Sequence, residues 1–309
     1  MRLHFGVPEL ARAPIALTIG NFDGVHRGHQ VMLARLREAG RRLRVPTAVM
    51  CFEPHPREFF RPEEAPARIT SLREKIELLA GEGVDEVYVC HFNAAFAAQS
   101  PEEFIDALLV QRLHAKWLLV GDDFRFGSRR AGDYALLSAR GQQLGFGVES
   151  QGTVEENGER ISSSLIRDVL AAGELEHAAR LLGRPWHVSG RVAHGDKIGR
   201  TWGFPTANVF LRHRRLPVTG IFAALLHAED GVARPGVASL GTRPAVKEAG
   251  VQLLETFVFD FDGDLYGQRV RVELLKKFRD EARFADLDAL RVQIAADVAD
   301  ARSFFAELV

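Results

Sequence analysis

The stretch TIGNFDGVHRGHQ, Thr18 to Gln30, holds two histidines three residues apart, His26 and His29, set among Gly20, Gly24 and Gly28. An apolar run, Ile15 to Ile19, leads in and ends at Gly20, and a helical pattern begins near His26 or Arg27. A strand that hands over to a helix in this way exposes unpaired backbone N–H groups and the positive end of the helix dipole, which favours phosphate. Gly24 and Gly28 remove side chains that would keep a ligand from the backbone. Histidines three apart on a helix share a face and can both donate to phosphate oxygens. The pair alone is also compatible with polar residues on an exposed helix start, or with half of a zinc site that needs further ligands.

Working outward, the first half alternates two patterns. Apolar, strand-like runs fall at Ile15–Ile19, Thr47–Phe52, Glu86–Phe92 and Trp117–Val120. Helical spacing falls between them, at Val31–Leu43, at Ser71–Ala80 with a capping box of Ser71 and Glu74, and at Pro101–Leu113 behind Ser100. Strands alternating with helices predict a parallel sheet covered on both faces, with the ligand crevice at the carboxyl ends of the strands. From about Trp186 the pattern changes. GIFAALL, GVASLG, LLETFVFDF and QRVRVELL read as short strands between turns, which predicts a small barrel or sandwich. Leu287, Leu290, Ile294, Val298, Ala301 and Phe305 form one stripe of a closing amphipathic helix. The boundary is expected near Leu181–Trp186, giving domains 1–182 and 183–309.

The 309 residues are 46% hydrophobic and 26% charged, with a formal net charge of -1. Nothing in that balance marks a nucleic-acid or membrane-surface partner. Cys51 and Cys90 sit in apolar runs and are expected to be buried thiols in a reducing compartment. The chain is read as cytoplasmic, as a monomer or a weak homo-oligomer.

Two features of the second half carry chemistry. GDKIGRTWGFPTAN, Gly195 to Asn208, is not a Walker A loop: its spacing is short and Arg200 stands where lysine is required. Within it Pro205 extends the chain, so Thr206 and Asn208 point to one face and offer hard oxygen ligands suited to magnesium, although PT and AN are also compatible with an ordinary strand start. In LLETFVFDF, Leu253, Phe257, Phe259 and Phe261 make an apolar face that also carries Glu255. A carboxylate on a buried face is costly unless it is paired or lines a cavity, where it becomes a candidate general base; the alternative is a glutamate at a barrel rim that reaches solvent.

The string GNFDGVHRGH resembles the G-x-F-D-G-x-H-x-G-H signature of the nucleotidyltransferase superfamily. With FEPHP (52–56), VGDDFRFGSRRAGD (120–133) and ISSSLIR (161–167), it resembles the adenylyltransferase half of the bacterial bifunctional riboflavin kinase/FAD synthetases. GRTWGFPTAN, LGTRP, ETFVFDF and FRDEARF resemble the riboflavin kinase half. The resemblance implies a Rossmann-like nucleotidyltransferase domain followed by a six-stranded barrel with a terminal helix. It implies ATP and magnesium, and phosphorylation of riboflavin to FMN followed by adenylyl transfer to give FAD and pyrophosphate. By resemblance, His26 and His29 contact the triphosphate within a loop of Gly20, Phe22, Asp23, Gly24 and Gly28. Asp123 lies near the sugar or metal, Ser163, Ser164 and Arg167 bind the outer phosphates, and Phe52, His55 and Pro56 meet the flavin. Ser164 and Leu165 stand where the family more often has Thr and Arg. In the kinase half, Gly195, Gly199 and Arg200 cover the phosphates, Thr206 and Asn208 hold Mg-ATP, Glu255 is the base and Arg279 closes over the flavin.

Overall fold

The computed structural model describes residues 1–195, 199, 202–211, 215–242 and 252–308. Arg200 and most of the TRPAV segment lie outside the described residues. The chain divides into two compact units, Met1–Pro66 with Thr70–Ser162, and Ala67–Ile69 with Ser163–Val309.

The first unit is built on strands β1 (Arg2–Phe5), β2 (Ile15–Ile19), β3 (Thr47–Glu53), β4 (Glu86–His91), β5 (Ala115–Gly121) and β6 (Gly147–Gln151). They form one parallel sheet in the order β1-β4-β3-β2-β5-β6, followed by a short antiparallel pair, β7 (Glu155–Glu156) and β8 (Glu159–Arg160). Alternate residues go to opposite faces. Leu17, Met50, Tyr88 and Leu118 join Ile105, Leu108 and Leu109 in one core. Ala16, Val49, Val87 and Leu119 join Leu33, Leu36 and Leu79 in the other. Burial on both faces explains why these strands read as continuous apolar runs. Cys51 and Cys90 fall in opposite cores, both buried. The chain runs outward from β2 through β3 to β4, then returns to β5 on the other side of β2. The order therefore reverses between β2 and β5, and the crevice of such a sheet opens at their carboxyl ends.

Helix α1 (Arg27–Leu43) follows β2, the short α2 (Pro56–Phe60) follows β3, and α3 (Leu72–Gly81) starts with the expected capping box: Ser71 N donates to Glu74 at 2.6 Å, and Glu74 N to Ser71 Oγ at 3.2 Å. The helix expected at Pro101–Leu113 is a single α turn, Pro101–Glu103, that widens into a π-helical stretch, Phe104–Arg112. The helix behind ISS begins at Ser163 (Ser163–Ala171), so Ser163 and Ser164 lie inside its first turn rather than before it.

The second unit is an antiparallel, nearly closed barrel. Its strands β9 (His187–Arg191), β10 (Thr206–Leu211), β11 (Gly220–His227), β12 (Ala233–Thr242), β13 (Gln252–Val258) and β14 (Arg269–Arg279) follow the order β10-β13-β12-β11-β14-β9. Ala193 N donates to Asn208 O at 2.8 Å and brings the two edges together. Val188, Val209, Phe222, Ala238, Leu254 and Val272 are buried side chains of its wall. The terminal helix Leu287–Ala306 packs on the sheet through Val298, Ala301 and Phe305, against Ile221, Val237 and Phe259. Leu287, the first residue of the expected stripe, is exposed, and Asp297 is buried at its centre. Among the described residues, no helix is long and apolar enough to cross a membrane.

Candidate active sites

In the first unit, the turn after β2 has an unusual backbone. Phe22 (φ 49°), Gly24 (φ 85°) and Val25 (φ 41°) all adopt left-handed conformations. For a β-branched residue such as Val25 this costs on the order of 1–3 kcal/mol, so the surroundings must hold it. Both Phe22 and Val25 are fully buried. His26 caps α1: its Nδ1 accepts from His29 N at 3.3 Å. The two imidazoles stack, with ring centroids 3.6 Å apart, and His29 lies against Phe22 at 4.9 Å. His26 is buried and His29 is half-buried. The N–H groups of Arg27 and Gly28, in the first turn of α1, have no intrahelical acceptor and point out of the helix start. An anion placed there meets these N–H groups, the dipole and the histidine face together.

The structure gives the glycines and Asp23 more specific work than the motif suggested. A Cβ on Gly28 would come within 3.1 Å of the His26 ring, and one on Gly20 within 3.2 Å of the Phe22 ring. These glycines admit aromatic rings of the turn itself. Asp23 is buried and accepts from Thr70 N at 2.9 Å and Thr70 Oγ1 at 3.0 Å. Asp123, beyond β5, is exposed and meets Arg160 at 3.4 Å. Arg27 donates to Glu156 at 2.9 Å. His55 caps the helix Pro56–Phe60, its Nδ1 accepting from Arg57 N at 3.1 Å, with Pro56 in the first turn. Phe52 belongs to an aromatic group with Phe92 and Phe96, which Phe59 and Phe60 extend to the surface. Phe60 is 62% exposed. Sequence reasoning missed these aromatics, although EFF directly follows PHPR. Ser163, Ser164 and Arg167 cluster with the second unit, where Arg167 Nε donates to Ala67 O at 2.7 Å.

In the second unit, a cavity of about 960 Å³ opens beside β10, β12 and β13. Register explains its lining. Asn208 stands directly opposite Glu255, Ser239 opposite Glu255 on the other side, and Thr206 opposite Phe257. Paired residues share a face, so Thr206, Asn208, Ser239, Glu255 and Phe257 all face the cavity. On the face it shares with Leu253, Phe257 and Phe259, Glu255 is exposed rather than buried, while Leu254, Thr256 and Val258 on the other face are buried. Phe257 is only half-buried for the same reason. The cavity therefore lies outside the barrel wall, with Leu290, Ile294 and Asp297 of the terminal helix as its further side.

Asn208 is buried; its Nδ2 donates to Thr206 O at 3.2 Å, and its Oδ1 has no hydrogen-bond partner among the described residues. An unsatisfied buried acceptor beside a hydroxyl and a carboxylate suits a hard cation. Gly195 and Gly199 flank this corner. A Cβ on Gly195 would reach within 2.6 Å of Asn208 Nδ2. Arg279 is held by Asp297 through two bonds, Nε–Oδ1 at 2.8 Å and Nη2–Oδ2 at 2.6 Å, and lies over the Phe284 ring at 5.8 Å. Gln293 also donates to Asp297 at 3.0 Å. Asp297 was not anticipated. Its spacing, seven residues after Leu290 and three after Ile294, places it on the apolar stripe, the same signal that singled out Glu255. Burial pushes the Glu281 carboxyl above its ordinary value, countered by the Thr242 N–H and the Arg279 charge. The described lining carries the carboxyl groups of Glu255, Asp262, Asp264, Glu281 and Asp297 against one guanidinium, Arg279.

Comparison with known proteins finds two family matches along the chain. The FAD synthetase family matches residues 9–165 and the riboflavin kinase family residues 182–305. The bifunctional riboflavin kinase/FMN adenylyltransferase of Escherichia coli K12 is 50% identical over 309 residues, covering 99% of this chain and 98% of that protein. The protein of the same description from Pseudomonas fluorescens is 50% identical over 289 residues, 94% of this chain and 92% of its own. A crystal structure described as a macrolide-efflux protein from Streptococcus pneumoniae superposes with a TM-score of 0.81 at 29% identity, covering 96% of this chain and 97% of that one. The chain belongs to the bifunctional riboflavin kinase/FMN adenylyltransferase family.

Proposed function

We propose that the chain converts riboflavin to FMN in the cavity beside β10 and β13, and FMN to FAD at the histidine turn after β2, with ATP as donor in both steps. The functional division is put at 1–182 and 183–309. The observation that carries the reading is the register pair Asn208 and Glu255, which sets a candidate base beside an unsatisfied oxygen in one cavity.

In the kinase step, Glu255 accepts the proton of the ribityl hydroxyl as the hydroxyl oxygen attacks the γ-phosphorus of ATP, and the bond to the β-phosphate oxygen breaks to release ADP. Thr206 and Asn208 would hold magnesium, which neutralises triphosphate charge in a lining rich in carboxylates. Arg279, aimed by Asp297, offers a cationic edge to the flavin. In the adenylyl transfer, the FMN phosphate attacks the α-phosphorus of ATP and pyrophosphate leaves. The chain supplies alignment and positive charge rather than a covalent nucleophile. His26, His29 and the N–H groups of Arg27 and Gly28 stabilise the added negative charge. The exposed Phe59 and Phe60, continuous with Phe52, give the isoalloxazine a stacking surface. A cytoplasmic enzyme, monomeric or weakly self-associating, with small molecules rather than nucleic acid or membrane as partners, completes the reading, and its near-neutral charge supports it.

The test is incubation of the protein with riboflavin, ATP and magnesium, with chromatography of the flavins over time. FMN should form first and FAD should follow. FMN without FAD would leave the kinase half standing alone; unchanged riboflavin would overturn the reading.

A further inference from the structure

The left-handed turn after β2 needs something to hold it, and the structure provides a clamp from a distant part of the same unit. Thr70 Oγ1 accepts from Gly24 N at 3.0 Å and lies 3.0 Å from Asp23 Oδ1, while Thr70 N donates to that same oxygen at 2.9 Å. A hydroxyl has one proton and two lone pairs, so it can accept from Gly24 and donate to Asp23 at once. Asp23 and Thr70 are each only 2% exposed. Neither residue faces solvent, and the carboxylate that the motif offers to the nucleotide is directed into the protein. Ser71, the next residue, caps α3, so Thr70 is itself fixed by a helix start.

We infer that Thr70 is a positioning residue for adenylyl transfer: through Asp23 and Gly24 it fixes the strained turn that aims His26, His29 and the start of α1 at the triphosphate. The inference rests on the reading of that turn as the triphosphate site. Gly24 N is committed to Thr70, so the clamp sets the shape of the turn rather than donating to the ligand. Buried hydrogen bonds to a carboxylate are strong and costly to leave half-made.

The experiment uses the full chain with Thr70→Val, which keeps the shape and removes the hydroxyl. Initial rates of FAD formation from FMN are measured against ATP concentration, and riboflavin phosphorylation is measured on the same preparation. The expected result is a fall of about 10- to 100-fold in kcat/KM for ATP in adenylyl transfer, carried mainly by a higher KM. Riboflavin phosphorylation should stay within about twofold. Thr70→Ser should restore adenylyl transfer to within about threefold of the parent. A loss of folded protein would lower kcat and leave KM unchanged, so that pattern overturns the inference. So does a Thr70→Val enzyme with parental kinetics while His29→Ala has lost FAD formation. If His29→Ala also keeps its activity, the site reading falls with it. Should Thr70→Val not accumulate as folded protein, Asp23→Asn carries the test: a raised KM for ATP supports the clamp, and an unchanged KM overturns it.

Discussion

The two candidate sites are assembled in opposite ways. The histidine turn draws its rings, its helix start and its strained backbone from ten consecutive residues, Gly20 to His29, at the point where a parallel sheet reverses its order. The candidate kinase cavity draws Thr206 and Asn208 from one strand, Glu255 from a second, Ser239 from a third, and Asp297 from the terminal helix. One site depends on local conformation; the other depends on register. A damaged turn should fail alone, whereas a slipped strand would take every cavity residue with it.

Substitutions can break that contrast. The largest effect is expected for Glu255→Gln, which keeps the shape and cannot take a proton. Riboflavin phosphorylation should fall by ~100- to 10,000-fold, while adenylylation of supplied FMN stays near the parent rate. Equal loss of both activities, accompanied by a lower melting temperature, would show a folding effect instead. His29→Ala should produce the mirror image: FMN accumulates and FAD formation drops ~100- to 1,000-fold. FAD formation at the parent rate would remove His29 from the site. Thr206→Ala should slow the kinase by about 10-fold through loss of a metal ligand, and added magnesium should recover part of it. Magnesium should not recover Glu255→Gln; if it did, Glu255 would be acting through the metal.

Two smaller effects sharpen the comparison of the units. Helix Leu175–Leu182 packs on β14, and Gly173 admits the Lys277 side chain. A fragment from Ser163 should therefore melt higher than one from Gly183. Equal melting would put the structural boundary where the sequence put it. In the first unit, burial raises the Cys90 thiol from 9.0 to about 12. The native thiol stays protonated where an unfolded one ionises, so this contribution to stability is present below the unfolded value and is lost as pH rises toward 12. Maleimide should accordingly label Cys90 only on unfolding at pH 8; rapid native labelling would show that the strand opens.

Legibility followed the same contrast. The parallel sheet, the helix after Gly20 and the capping box at Ser71 were readable because each is encoded within a few neighbouring residues. Glu255 was readable as an oddity on its face, but not that this face opens on a cavity and leaves it exposed. The run Leu253–Phe261 is apolar at both parities, and only pairing with Asn208 and Ser239 decides which side meets the core. Asp297 carried a signal that went unused. The clamp from Thr70 to Asp23 could not be read, because two segments separated by 47 positions meet only after the sheet has formed.

The described lining of the cavity is rich in carboxyl groups, and in the proposed reaction this would bear on turnover as well as on binding. Riboflavin is uncharged, so carboxylates along the wall cost it little on entry. FMN leaves with a phosphate of about two negative charges. If phosphorylation takes place there as proposed, the carboxyl groups of the described lining would repel the FMN anion once it forms. On that reading flavin would enter neutral and leave as an anion, and raising the ionic strength would weaken the effect.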